Sequence, residues 1–265
     1  MRTGLVLSAG GLYCAYQAGA WKAVAQYAPP DLVAGASAGA LNGWLIAGGC
    51  SPEQLIERWL DPSSSDLLRV VPRPGWRRGY FDREVLRLRT ERLVAEFQPR
   101  IPLGISLVEV PRFRTVMRLH PHITARHLEA TCAIPLFMPS VRIDGIRYID
   151  GGVIEKMPVR GAIEMGATRI IAIDALPLSN LWWLRLGGAL ARGIGRKGRA
   201  PRDVEILTIS PSEPLGDTNS AVFWKRENIE RRIDLGYRDA LRSLAAGPAP
   251  GISDLRGAGI SEPVK

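Results

Sequence analysis

Ser37 stands among residues with almost no side chains. The run "LVAGASAGALNG" (Leu32–Gly43) leaves a short apolar stretch and sets Ser37 between Gly35 and Gly39. It then continues as helix former through Leu41, Trp44, Leu45 and Ile46. A strand–turn–helix around G-x-S-x-G can hold a serine on a strained turn with its hydroxyl open to substrate. The amides that begin the following helix favour negative charge at the same spot. Small residues also serve close strand–helix packing, so the motif alone does not decide between the two.

A serine hydroxyl needs a base. The chain has three histidines, His120, His122 and His127, all within eight positions. No histidine follows His127, which rules out the order serine, acid, then a histidine near the C-terminus. Two options remain: His127 working with Asp150, or a carboxylate alone. Asp150 ends a strand-like run in "RYIDGGVIEKMPV" and is followed by Gly151 and Gly152. That pattern makes either a tight turn or a carboxylate held at a strand end beside Ser37. At its ordinary pKa of about 3.9 an aspartate is a poor base toward serine. A dry pocket must raise that value, and an oxyanion hole must carry much of the barrier. The turn "SAGGLYCAY" supplies candidate amides around Gly10 and Gly11. It matches neither glycine pattern of nucleotide-binding turns. The spacing in "HPHITARH" fits no metal-binding pair, so no metal is expected.

The surrounding elements must bring these residues together. Strands are expected at "GLVLSAGG", "DLVAGAS", "IPLGISLVEV", "RTVMRL", "RIIAIDA" and "VEILTIS", with a hairpin in "VRIDGIRYID". Helices are expected at "AYQAGAWKAVAQY", Ala38 to Ala47, and "EQLIERWL" behind Ser51 and Pro52. Further helices fit "REVLRLRTERLVAEF", "TARHLEATCAIPLF" capped by Thr124, Val159–Met165, and roughly "RENIERRIDLGYRDALRSLA". Asp61 to Arg83 reads as a surface loop, and residues 248–265 as a disordered tail behind a single domain over 1–247. Alternating strands and helices imply an α/β fold with a mostly parallel central sheet covered on both faces.

Length and composition agree. A chain of 265 residues with 46% hydrophobic and 23% charged residues is an ordinary globular protein. Its three cysteines, Cys14, Cys50 and Cys132, sit in apolar sequence and read as reduced thiols. The N-terminus lacks a signal-peptide core, and no apolar run reaches the ~20 residues of a spanning helix. A cytoplasmic location, with peripheral membrane contact, is the expectation. The net charge of +9 comes from 35 basic residues, only five of them lysine. It fits anionic lipid, or codon usage alone; no nucleic-acid recognition motif accompanies it, so no nucleic-acid partner is expected.

Three pieces in order, "LVLSAGGLYCAYQAGAW", "GASAGALNG" and "TARHLEATCAIPLFMPSVRIDGIRYIDGGVIEKMPV", resemble the patatin-like phospholipases. The likeness extends to "PLGDTNSAVFWKRENIERRIDLGYRDA". It implies a three-layer α/β/α sandwich and a serine lipid acyl hydrolase with a Ser–Asp dyad and no cofactor. Ser37 would be the nucleophile and Asp150 the dyad acid, with Gly35 and Gly39 forming the elbow and Gly151 and Gly152 completing the acid motif. Gly10, Gly11 and Leu12 would donate the oxyanion-hole amides. The substrate would be a phospholipid or related lipid ester. The family's loop usually reads G-G-G-x-R-G; here Ala9, Tyr13 and Cys14 depart from it. Those departures leave an alternative, a catalytically weak or inactive lipid-binding protein of the same fold. Trp182 and Trp183, in "LWWLRLGGALARGIGRKGRA", are the expected contact with an anionic membrane.

Overall fold

The computed structural model of the chain describes residues 1–63, 70–75, 79–135, 137–176, 204–217 and 219–247. Trp182, Trp183 and the tail 248–265 lie outside the described residues. In chain order the first elements are β1 (Thr3–Leu7), α1 (Ala15–Tyr27), β2 (Leu32–Ala36), α2 (Ala38–Ala47) and α3 (Pro52–Leu60). Next come β3 (Val70–Gly75), β4 (Gly79–Phe81), α4 (Arg83–Glu96), β5 (Leu103–Val110), β6 (Arg114–Leu119) and α5 (Ala125–Thr131). The remainder is β7 (Val141–Ile143), β8 (Ile146–Asp150), α6 (Val159–Glu164), β9 (Arg169–Ile173), β10 (Glu205–Ile209) and α7 (Arg226–Ala246).

Eight strands form one sheet in the order β10-β9-β1-β2-β5-β8-β7, with β6 also paired to β5. The expected parallel sheet is present as β10, β9, β1, β2 and β5. Three antiparallel strands, β6, β8 and β7, extend it. The central strands are buried on both faces, which is why they read as unbroken apolar runs. Their alternate residues still divide cleanly. Leu5, Leu7, Val33, Leu103, Ile105 and Ile171 face α1, α2, α3 and α7, whereas Val6, Leu32, Ala34 and Ile170 face α6. Helices on both sides of the sheet make the three layers. Among the described residues no helix is long and apolar enough to cross a membrane.

Ser51 caps α3 through a reciprocal bond with Gln54, and Pro52 opens the helix, as its sequence predicts. The segment from Asp61 to Arg83 is not all loop: β3 and β4 pair as an antiparallel hairpin inside it. Pro72 and Pro74 hide the strand in the sequence, since proline is tolerated where no ladder bond is required.

Helices α1 and α7 touch backbone to backbone. A Cβ on Gly19 would lie 1.8 Å from the Ile233 carbonyl oxygen, and one on Gly236 would lie 2.0 Å from that of Tyr16. Neither helix can yield locally, so Gly19→Ala should destabilise the fold by about 3 kcal/mol or more. Gly43→Ala, whose Cβ would meet side chains and no backbone, the nearest being Val33 at 3.1 Å, should cost much less. Urea unfolding of the two variants checks this; equal losses would show that the helices can separate freely.

Candidate active site

Strand β5 carries three neighbours, and its register shows how they share two edges. β6 spans Gly104 to Glu109 on one edge. On the other, β2 occupies Leu103 to Ser106 and β8 occupies Leu107 to Val110. β2 runs parallel to β5 and β8 runs antiparallel, so their C-terminal ends point at each other. Ala36 pairs with Ser106 and Asp150 pairs with Leu107. The residue after Ala36 is Ser37. Adjacent registry on one strand thus brings together two residues 113 positions apart in sequence.

Ser37 occupies the sharp turn between β2 and α2 with φ 55° and ψ −134°, a conformation rarely held without support. That support is visible. Its N–H donates to Thr131 Oγ1 at 3.0 Å, and that hydroxyl donates in turn to the Ser106 carbonyl at 2.8 Å. Gly39 lets α2 approach β1: a Cβ there would lie 2.3 Å from the Ser8 carbonyl oxygen. Gly35 is equally confined, against the Gly39 carbonyl.

Asp150 is buried, and burial raises its pKa to about 7, against the lowering effects of the Ser37 side chain and the Gly152 N–H. The amide of Gly152 donates to Asp150 Oδ1 at 2.7 Å. The Ser37 side chain is the other group that hydrogen-bonds the Asp150 carboxylate. Gly151 has no room for a side chain, with the Ser106 backbone 2.4 Å from its would-be Cβ, and Gly152 lies against Ala9. A carboxylate half-ionised at neutral pH beside a serine hydroxyl can accept its proton.

The loop after β1 closes the site. Its Ala9 N–H is held by the Lys156 carbonyl at 2.7 Å. Gly10 precedes a short 3-10 turn over Gly11–Cys14, and among the described residues no protein acceptor takes the N–H of Gly10, Gly11 or Leu12. Gly11 has φ 54° and its Cβ position is filled by the Ala221 carbonyl. The crossover from β1 to β2 covers one face through α1, and α6 leads to β9 on the other. The loop therefore lies over the crevice at the carboxyl edge where such sheets bind ligands.

The model of the patatin-like phospholipase family matches residues 5–163, which include Ser37, Asp150 and the β1 loop. The chain belongs to the patatin-like phospholipase family. Among solved structures it is similar to VipD from Legionella pneumophila, at 14% identity and a TM-score of 0.58, covering 92% of this chain and 67% of that one. It also matches the type III effector ExoU, at 14% identity and a TM-score of 0.43, spanning 53% of that chain. The VipD likeness reports the fold. Membership of the patatin-like family supports a lipid ester hydrolase.

The departures from the patatin-like loop are absorbed by the core. Ala9 avoids positive φ, so its methyl is tolerated. Tyr13 turns inward and its hydroxyl donates to the Asp217 carbonyl at 2.6 Å. A guanidinium returns from elsewhere: Arg232 of α7, fully buried, stands 4.7 Å from the Tyr13 ring centre. It donates to the carbonyls of Leu12 (3.3 Å), Leu215 (2.9 Å) and Ser220 (2.9 Å). Burial lowers its pKa to about 10. Cys14 is buried beneath the loop, its thiol pushed up by burial.

Sequence reading missed several supporting groups. Gln17 Nε2 donates to the Ser8 carbonyl at 2.8 Å, Asn42 Nδ2 to Gln17 Oε1 at 2.9 Å, and Trp59 Nε1 to Asn42 Oδ1 at 3.0 Å. This buried chain ties the β1 loop to α1, α2 and α3. Single amides in otherwise apolar helices were the available signal; nothing in the sequence marked Thr131 or Arg232. His127 is not brought into the site. Its Nδ1 meets Thr124 Oγ1 at 2.9 Å, capping α5, and burial lowers its pKa to about 4. Half-buried Cys132 neighbours Ser37 instead. Among the described residues no group of three or more His, Cys, Asp or Glu side chains could hold a metal ion.

Burial of Asp150 has a stability consequence. Its proton is held more tightly in the folded chain (about 7) than at the ordinary value of 3.8. The associated stabilisation is complete below that ordinary value and is lost as pH rises through about 7. Asp150→Asn should therefore raise stability by on the order of 1–3 kcal/mol at about pH 8 and change it little near pH 4. Thermal melting at the two pH values measures this; an equal shift at both would mean that Asp150 titrates normally.

Proposed function

We propose that the chain is a serine lipid acyl hydrolase of phospholipase A or lysophospholipase type, with Ser37 as nucleophile and Asp150 as base. The observation that supports it most is the meeting of β2 and β8 on one edge of β5, with the Asp150 carboxylate buried beside the Ser37 hydroxyl. Family membership supports the lipid ester as substrate class.

As Ser37 Oγ attacks the ester carbonyl carbon, Asp150 accepts its proton. The carbonyl oxygen becomes an oxyanion within reach of the N–H groups of Gly10, Gly11 and Leu12. Collapse expels the alcohol, which takes the proton from Asp150, and leaves an acyl-Ser37 ester. Water then attacks that ester while giving its proton to Asp150. The second collapse releases the fatty acid and returns the proton to Ser37. No cofactor takes part in these steps. The Ala38 and Gly39 amides at the start of α2 favour the same negative charge.

The base must be ionised, so kcat/KM on a soluble short-chain ester should rise as pH rises through about 7. Ser37→Ala and Asp150→Asn should each lower kcat by about a thousandfold or more. A fluorophosphonate probe should label wild type and leave Ser37→Ala unlabelled; full labelling of that variant would put the nucleophile elsewhere.

Tyr13 and Cys14 favour a second reading, a lipid-binding protein that turns substrate over weakly or not at all. Binding of lipid without hydrolysis across several acyl lengths would support it. Tyr13→Arg, the family residue, sets a second guanidinium against buried Arg232 and is expected to lower Tm rather than recover activity. Recovery of turnover in that variant would show that the loop itself had been the defect.

A further inference from the structure

Two hairpin tips project beyond the site at the same end of the sheet. β5 continues four residues past Ser106 to Val110, about 13 Å at the ordinary strand rise, before turning through Pro111–Phe113 into β6. β8 begins at the same level, with Arg147 opposite Val110, so the Asp144–Gly145 turn into β7 stands beside the first tip. Both tips lie on the side toward which the Ser37 turn opens.

Each tip carries an exposed apolar side chain, Phe113 (45% exposed) and Ile146 (42% exposed). Arginines surround them. Arg112, Arg114, Arg142 and Arg147 are all exposed. Strand alternation puts Arg114 on the face that α5 covers, and Arg142 and Arg147 on the opposite one. The acidic groups on the two hairpins are Glu109, already bound to Arg114 at 3.0 Å, Asp144 in the turn, and Asp150, which is buried in the site at the far end of β8 from the tip. Phe113 is also held at φ 47°. An aromatic residue rarely adopts that conformation, and here it keeps a phenyl ring out of the core at the cost of backbone strain. Guanidinium groups on both faces of an apolar, aromatic tip match a layered partner: acyl chains below, anionic headgroups around.

Resting on the lipid-ester reading above for the choice of partner, we propose that the paired tips, Phe113 and Ile146 with Arg112, Arg114, Arg142 and Arg147, dock the protein on an anionic bilayer. The strand direction then presents the carboxyl edge of the sheet, and with it Ser37, to the membrane surface.

The test is partitioning of the full chain onto phosphatidylcholine vesicles with and without phosphatidylserine. Wild type and Ser37→Ala should bind the anionic vesicles equally well and the neutral ones much more weakly. Reversing Arg112, Arg142 and Arg147 to Glu should weaken anionic binding by about tenfold or more, and added salt should weaken wild-type binding to the same vesicles. Phe113→Asn should weaken it too, while leaving Tm equal or higher, because Asn accepts a left-handed backbone. Loss of affinity with loss of fold is thereby separated from loss of docking. Binding of the charge-reversed protein within about twofold of wild type would overturn the proposal. So would equal affinity for neutral and anionic vesicles, or tip substitutions that abolish self-association and spare vesicle binding. Hydrolysis of a soluble ester reads the Ser37 chemistry separately. If no ester is cleaved yet partitioning behaves as described, the hydrolase reading fails and the docking surface stands.

Discussion

One edge of β5 is divided between two strands that run in opposite directions, and the site depends on that division. β2 and β8 cannot both continue, because each ends where the other ends. Their ends face each other over Ser106 and Leu107, and the side chains that leave those ends are Ser37 and Asp150. Little else in the fold needs to be exact for the two residues to meet. The Thr131 hydroxyl secures the junction by bridging the Ser37 amide and the Ser106 carbonyl. The glycines after Asp150 and around Ser37 remove the side chains that would push the backbones apart.

The same junction sets stability against chemistry. Burial holds the Asp150 carboxyl close to neutral pH, which suits proton transfer with a hydroxyl but makes its ionised form unfavourable in the folded chain. Ser37 adds a strained backbone. Both are tolerated because the sheet beneath is buried on both faces and helices α1 and α7 interlock at backbone distance. A loose core could not keep an unfavourable carboxylate and an unfavourable turn in register.

Around the loop after β1, polar side chains do the work that glycines do elsewhere. The Gln17, Asn42 and Trp59 chain satisfies its own buried groups while fixing the Ser8 carbonyl. Arg232 reaches the loop from α7, more than two hundred residues away in sequence, and its donors go to carbonyls rather than a carboxylate. Its contact with Tyr13 shows how a change within the loop is matched by a residue outside it.

Sequence by itself determined the local elements. Periodicity and capping gave α3, α4, α7 and the β7–β8 hairpin, because those signals depend on neighbours a few residues away. It also marked Ser37, Asp150 and the glycines, since a sharp turn and a close approach each restrict residue type locally. The β3–β4 hairpin was lost behind its prolines. Tertiary structure alone decided which residues meet. The sharing of β5 by β2 and β8, the inward turn of Tyr13 onto Arg232, the capping role of His127 and the alignment of two hairpin tips all follow from strand order and register. Those are set by packing across the whole chain, and no short stretch of sequence carries them.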